Sequence, residues 1–146
     1  MENATILTLM ISHHALLDAL YVLFHGQETD KSQGVETSLS ELSWETKKHF
    51  FAEETAIFDH LPLKNIEIWN IINRLRDEHL QMVNMLNKFT EDSPNVSEKE
   101  MEEFHNLMNS HREVEEKELY PRLDKELSDE QKRIIVSRIN EIPLRK

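Results

Sequence analysis

Cysteine is absent from the 146-residue chain. That excludes disulfides, thiolate zinc sites, iron–sulfur ligation through cysteine and a cysteine nucleophile. Any metal must be held by nitrogen and oxygen. Glycine occurs twice and proline four times, far below average usage. Sandwiches, barrels and glycine-cornered α/β folds need frequent turns, so their scarcity argues against all three. Basic residues are in deficit too, with 17 Lys+Arg against 28 Asp+Glu and a formal net charge of -11. A negative field repels phosphate, so nucleic acid and anionic membrane surfaces are poor partners. It does not repel metal cations. No run approaches the ~20 apolar residues of a membrane span. The N-terminus carries neither the basic region nor the long apolar run of a signal peptide. The expectation is a cytoplasmic protein with no nucleic-acid or membrane partner.

What the chain has is helical periodicity. Its length suits one domain over residues 1–146, with one sizeable core. Two polar segments read as connectors, Gly26 to Thr37 and Glu91 to Ser97. A tight turn is expected at Leu61-Pro62-Leu63 and a break near Pro121. The first helix is expected from about Asn3, as N-cap, to about Phe24. Its stripe is Ile6, Leu9, Met10, His13, Leu16, Leu17, Leu20, Leu23 and Phe24. The second starts near Ser38, where Ser38-x-x-Glu41 fits a capping box. It points Leu39, Leu42, Thr46, His49, Glu53 and Ile57 inward.

The third helix carries Ile68, Ile72, Leu75, His79, Met82, Leu86 and Phe89 on one face. The fourth opens at Ser97 with Glu100 closing a box, and carries Met101, Phe104, Met108, His111, Glu115 and Leu119. Ser128-x-x-Gln131 caps a short fifth helix with Ile134, Ile135 and Ile139 on its apolar face. The expected fold is all-α, an up-down-up-down four-helix bundle with a short C-terminal fifth helix.

Each of the four long stripes contains a histidine where leucine is expected: His13, His49, His79 and His111. Two are followed one turn later by a carboxylate, as His49-x-x-x-Glu53 and His111-x-x-x-Glu115. That spacing puts nitrogen and oxygen on one side of a helix, about 5–6 Å apart at Cβ. One histidine on an apolar face is most often a hydrogen-bonded core residue. A buried ionised glutamate is much harder to accommodate, because it is strongly unfavourable unless compensated. A cation resolves the conflict for all six groups. One zinc takes four ligands and leaves two over. Two metals bridged by both carboxylates, with a solvent-derived oxide or hydroxide between them, use all six. Imidazole with carboxylate suits iron, with manganese or zinc as substitutes.

The second and fourth helices also repeat one another. His49 to Leu61 aligns with His111 to Leu123 on the pattern His-x3-Glu-Glu-x2-aliphatic-aromatic-x2-Leu, a 62-residue offset. His14 is the alternative to His13 as ligand, and the spacing to Leu16, Leu17, Leu20 and Leu23 favours His13. His60 and His105 fall beside the stripes as surface or helix-end residues, either supplying a fifth nitrogen only if a helix rotates. His25 ends the first helix. Glu54 and Glu116 read as solvated surface, with an alternative role as acceptors orienting a ligand imidazole. Phe58 and Tyr120 occupy matched repeat positions and read as core caps.

The pattern His13 … His49-x-x-x-Glu53 … His79 … His111-x-x-x-Glu115 resembles the hemerythrin-like, or HHE cation-binding, domains. The resemblance covers nearly the whole chain, including the Leu-Tyr-Pro-x-Leu segment after Glu115. It implies a non-haem di-iron site inside a four-helix bundle, with Glu53 and Glu115 bridging and His13, His49, His79 and His111 as terminal ligands. It implies O2 or NO as the small ligand, in a carrier, sensor or stress-response role. The alternative is a di-iron redox enzyme acting on NO or peroxide, or an iron-handling protein. Oxygen-carrying members use five histidines, two of them one turn apart on the third helix. Here the positions flanking His79 are Leu75 and Val83, which cannot ligate. The set is more similar to iron-sensing members and to those linked to iron–sulfur repair and nitric oxide stress. The repair proteins also carry a cysteine-bearing N-terminal segment, which has no counterpart here.

Overall fold

The structure is a computed structural model that describes residues 5–61 and 65–141. Among the described residues every regular element is helical. Helix α1 spans Thr5–Asp30 and α2 spans Val35–Ala52. α2 runs on into a π turn, Glu53–Ile57, and a 3-10 turn, Phe58–His60. α3 spans Ile66–Asp92 and α4 spans Glu98–Val114. α4 continues through a second π turn, Glu115–Leu119, into α5, Tyr120–Glu126. α6 spans Asp129–Asn140. Asn3 lies outside the described residues, as do Pro62 and Leu63 of the expected turn.

Several helix ends follow the sequence. Ser97 with Glu100 and Ser128 with Gln131 both form reciprocal capping boxes. Others correct it. The first connector shrinks to residues 31–34, because α1 continues through the polar segment to Asp30. Gly34 makes the reversal in the left-handed region, at φ 93°, where a Cβ is unfavourable. Ser38 is then inside α2, and its hydroxyl bonds the Gln27 side chain rather than capping. Pro121 does not break the chain. It falls in the first turn of α5, where a missing N–H costs little.

α1 is the element whose face was misread. Its buried residues are Ile6, Met10, His14, Leu17, Tyr21, Phe24 and Glu28. Leu16 and Leu23 are half exposed. The helix is apolar on nearly every side, so periodicity cannot choose a face. Polar contacts choose it instead. Asp124 of α5 accepts from the N–H groups of Ile6 at 2.9 Å and Leu7 at 3.0 Å, capping the α1 N-terminus. Tyr21 donates to the Met101 carbonyl at 3.1 Å, and buried Glu28 accepts from Ser93 Oγ and the Val96 N–H. α1 is also long and apolar enough to cross a membrane, contrary to the expectation that no such segment exists.

α1 packs on α2, α2 on α3, α3 on α4 and α4 back on α1, with α5 and α6 also against α1. The stripes expected for α2, α3 and α4 are all buried. On α6, Ile135 and Ile139 are buried while Ile134 is exposed. Two apolar cores result. One gathers Ile6, Met10, Ile57, Phe58, Ile72, Leu75, Leu119 and Tyr120. The other gathers Leu17, Phe24, Leu39, Leu42, Met82, Leu86, Phe104 and Met108. In sequence, His14, His79 and His111 fall between these two sets on their helices, and His49 and Glu53 flank Phe50 where α2 passes from one set to the other.

Candidate metal centre

Six buried side chains converge there, each 4% exposed or less: His14, His49, Glu53, His79, His111 and Glu115. Glu115 Oε1 lies 3.0 Å from His14 Nε2, and its Oε2 lies 3.1 Å from His111 Nε2. Glu53 Oε1 lies 3.1 Å from His79 Nε2 and 3.5 Å from His49 Nε2. His79 Nε2 and His111 Nε2 are 3.2 Å apart. These atoms form two overlapping sets. His14, His49, Glu53 and Glu115 are one, and Glu53, His79, His111 and Glu115 are the other. Within each set one ligand atom per residue lies within 4.8 Å of all the others.

His49, Glu53, His79, His111 and Glu115 are therefore brought together as expected, and His13 is not. On α1 it is His14 that enters the cluster. The register that buries Met10, Leu17 and Tyr21 puts position 14 on the inner face and turns position 13 to its edge. His13 is partly buried behind His49, with Nδ1 to Nδ1 at 3.2 Å.

The outward nitrogens of the inner histidines are all engaged. His14 Nδ1 meets Glu116 Oε2 at 2.6 Å, and His79 Nδ1 meets Glu54 Oε2 at 2.6 Å. His111 Nδ1 meets Glu78 Oε1 at 2.8 Å. With Nε2 turned inward, each Nδ1–H donates outward, the tautomer a ligating imidazole needs. Glu54 and Glu116 are thus acceptors orienting imidazoles, and the solvated-surface reading is corrected. Glu78 was missed. The signal for it is the dipeptide Glu78-His79, which matches His13-His14 on α1: the residue before each inner histidine backs the histidine of a neighbouring helix.

The two π turns begin at Glu53 and Glu115, the two inner carboxylates. Single π turns are rare and gather at functional sites. Each inserts one extra residue immediately after an inner histidine's turn. The matched aromatics Phe58 and Tyr120 follow, both fully buried. Phe58 lies against His79 at 6.2 Å between centroids, and Tyr120 against His14 at 6.5 Å. They are core residues as expected, but the Tyr120 hydroxyl has no hydrogen-bond partner among the described residues.

The electrostatics show how poorly the side chains serve one another alone. Burial and the neighbouring Glu115 charge push the Glu53 carboxyl well above its usual range. Burial opposes ionisation of Glu115 as well, but His111, Glu53 and His14 outweigh it and hold that carboxyl low. Burial also works against a charged His111, yet Glu115 and Glu78 raise it to about 9. Burial and His111 lower His79 to about 4. Burial, with His14, drives His49 well below its ordinary value. Even so, His14 Nε2, His49 Nε2 and all four oxygens of Glu53 and Glu115 make only ion-pair contacts of 3.0–3.5 Å and no well-aligned hydrogen bond among the described residues. Orphaned buried polar atoms of this kind are expensive. They are nitrogen and oxygen donors aimed at common points, so the residues present fit a cation.

Three further histidines stay outside the cluster. His60 is exposed, His105 stacks on Tyr21 at 4.3 Å, and His25 pairs with Glu98 at 2.8 Å.

A family model described as the hemerythrin HHE cation binding domain matches residues 5–123. No curated protein and no solved structure matches the chain. The matched residues include all six inward side chains and their outward partners. The chain belongs to the hemerythrin HHE cation-binding domain family.

Proposed function

We propose that the chain is a hemerythrin-like non-haem di-iron protein that binds O2 or NO, as a carrier, sensor or stress-response protein. One observation carries this reading: two four-residue sets share Glu53 and Glu115, and six of their buried nitrogen and oxygen atoms make no well-aligned hydrogen bond among the described residues. His14 and His49 would hold one iron and His79 and His111 the other, with Glu53 and Glu115 common to both. A set of imidazoles and carboxylates without sulfur suits iron, and it also accepts manganese or zinc. When bound, iron supplies redox chemistry and positions for a diatomic ligand.

The chain's own residues do the rest. Glu54, Glu78 and Glu116 fix imidazole orientation, and two apolar cores exclude bulk water from either end. An up-down-up-down arrangement of α1–α4 is part of the proposal. In its support, α1 and α3 pass from the Tyr120 core to the Leu42 core with rising residue number, while α2 and α4 pass the other way.

The test is optical titration of the reduced, iron-loaded chain with O2 and then NO, without air. A reversible band on O2 supports carriage or sensing. Irreversible oxidation points instead to a di-iron redox enzyme or an iron-handling protein. A chain that takes up no iron ends both readings.

A further inference from the structure

The 62-residue repeat of α2 and α4 holds at the inward groups and at the glutamates directly after them, while α1 and α3, whose inner histidines are 65 residues apart, differ in the group behind the site. Glu54 backs His79 and Glu116 backs His14, and these glutamates occupy matched positions. Glu78 backs His111 from the residue before His79. The matching group behind His49, from the residue before His14, is His13. A carboxylate in one half is replaced by an imidazole in the other.

A second difference falls in the same half. Phe50 lies face to face with His79 at 3.9 Å, and Phe58 lies parallel to that ring at 6.2 Å. The residue matching Phe50 is Arg112, whose guanidinium pairs with Asp18 and Asn109. His14 therefore has Tyr120 where His79 has Phe58, but nothing in the place of the Phe50 ring. A cavity of about 180 Å3 also reaches this half, lined in part by His13, Leu17, Lys48, His49 and Ala52.

We propose that the two metal positions are unequal, and that the His14–His49 position holds its ion more loosely and exchanges it first, because His13 stands where the other half has a carboxylate. This rests on the two-metal reading above. An imidazole whose N–H donates to a carboxylate is a more basic ligand, and losing such a partner weakens metal binding roughly 10–100-fold. The ion between His79 and His111 is backed by two carboxylates, Glu54 and Glu78. The other is backed by Glu116 alone. Arg74 pairs with the second oxygen of Glu78 at 3.0 Å but is exposed, so it offsets that charge only in part.

The experiment is calorimetric titration of the metal-free full chain with Co2+ at fixed pH. Two steps of one ion each are expected, about tenfold or more apart in Kd. His13→Glu should tighten the weaker step by about tenfold and leave the stronger one in place. Ser12→Glu adds the same charge on the exposed neighbouring position and should move neither step. Glu78→His makes the mirror change and should loosen the stronger step by about tenfold, which keeps the test open if His13→Glu does not fold. Two equal wild-type steps would overturn the inference, as would equal shifts of both steps in His13→Glu and Ser12→Glu. Either result leaves the two-metal reading standing. A chain that binds no Co2+ removes that reading as well.

Discussion

Each inner imidazole is held from both ends, with Nε2 in the cluster and Nδ1 on an outer partner. On the two-metal proposal, replacing an inner histidine removes a ligand, while replacing an outer partner only loosens one. His14→Ala should therefore abolish binding at one position, lowering metal content towards one ion per chain by elemental analysis. His13→Ala should keep two ions at saturating metal, with the weaker Kd raised roughly tenfold. Metal content of His13→Ala falling like that of His14→Ala would show that the residues had been assigned the wrong way round. Tyr120 allows a separate check. Its buried hydroxyl has no partner among the described residues, and an unsatisfied polar group costs about 1–3 kcal/mol. Tyr120→Phe should stabilise the metal-free chain by about 1 kcal/mol in urea unfolding; a loss of stability would mean that the hydroxyl has a partner. Five of the six cluster residues were legible in the sequence, because α2, α3 and α4 have clear apolar stripes. His14 was not, because His13 and His14 adjoin on a helix lined with leucines all round. Glu54 and Glu116 were legible only as an alternative reading, and Glu78 not at all, for another reason. A carboxylate one position off a stripe looks like surface until its partner on another helix is known.

At the scale of elements, the site depends on how α1 is set against the rest. Asp124 reaches across from α5 to cap α1 with two hydrogen bonds. Asp124→Ala should cost about 1–2 kcal/mol in chemical denaturation while leaving metal stoichiometry unchanged. An unchanged midpoint would mean that the first turn of α1 is fixed by packing alone. Capping boxes at Ser97 and Ser128 were readable because their partners are local. The Asp124 cap was not, since it joins positions 118 residues apart. The true start of α2 escaped for a similar reason. Ser38 satisfies the local rule for a cap, but Gly34 supplies the reversal and Ser38 bonds back to α1. The π turns carry no sequence signature of their own. They became visible only as the shared register in which Glu53 and Glu115 stand one turn after His49 and His111.

On the scale of the whole molecule, the formal charge of -11 includes the carboxylates of Glu53 and Glu115, both buried at 0% exposure. Protons shared among Glu53, His111 and His14 are what a cation must displace. His111 is raised to about 9, so its contribution to metal-free stability is fully present below its ordinary value of 6.5 and is lost as pH rises through about 9. His79, lowered to about 4, works the other way: its contribution is full above 6.5 and is lost as pH falls towards 4. Metal affinity should therefore increase from pH 7 to pH 9, with at least one proton released per chain on loading. Calorimetry in buffers of different ionisation enthalpy measures that release; a value of zero at pH 7 would contradict the proton-sharing account. Native mass spectrometry of the metal-free chain, titrated with Fe2+ without air, counts the ions that the buried cluster holds. A species with two irons per chain is expected, lost on His111→Ala. A chain that stays metal-free at excess Fe2+, or that binds equally well in His111→Ala, would contradict the two-metal proposal.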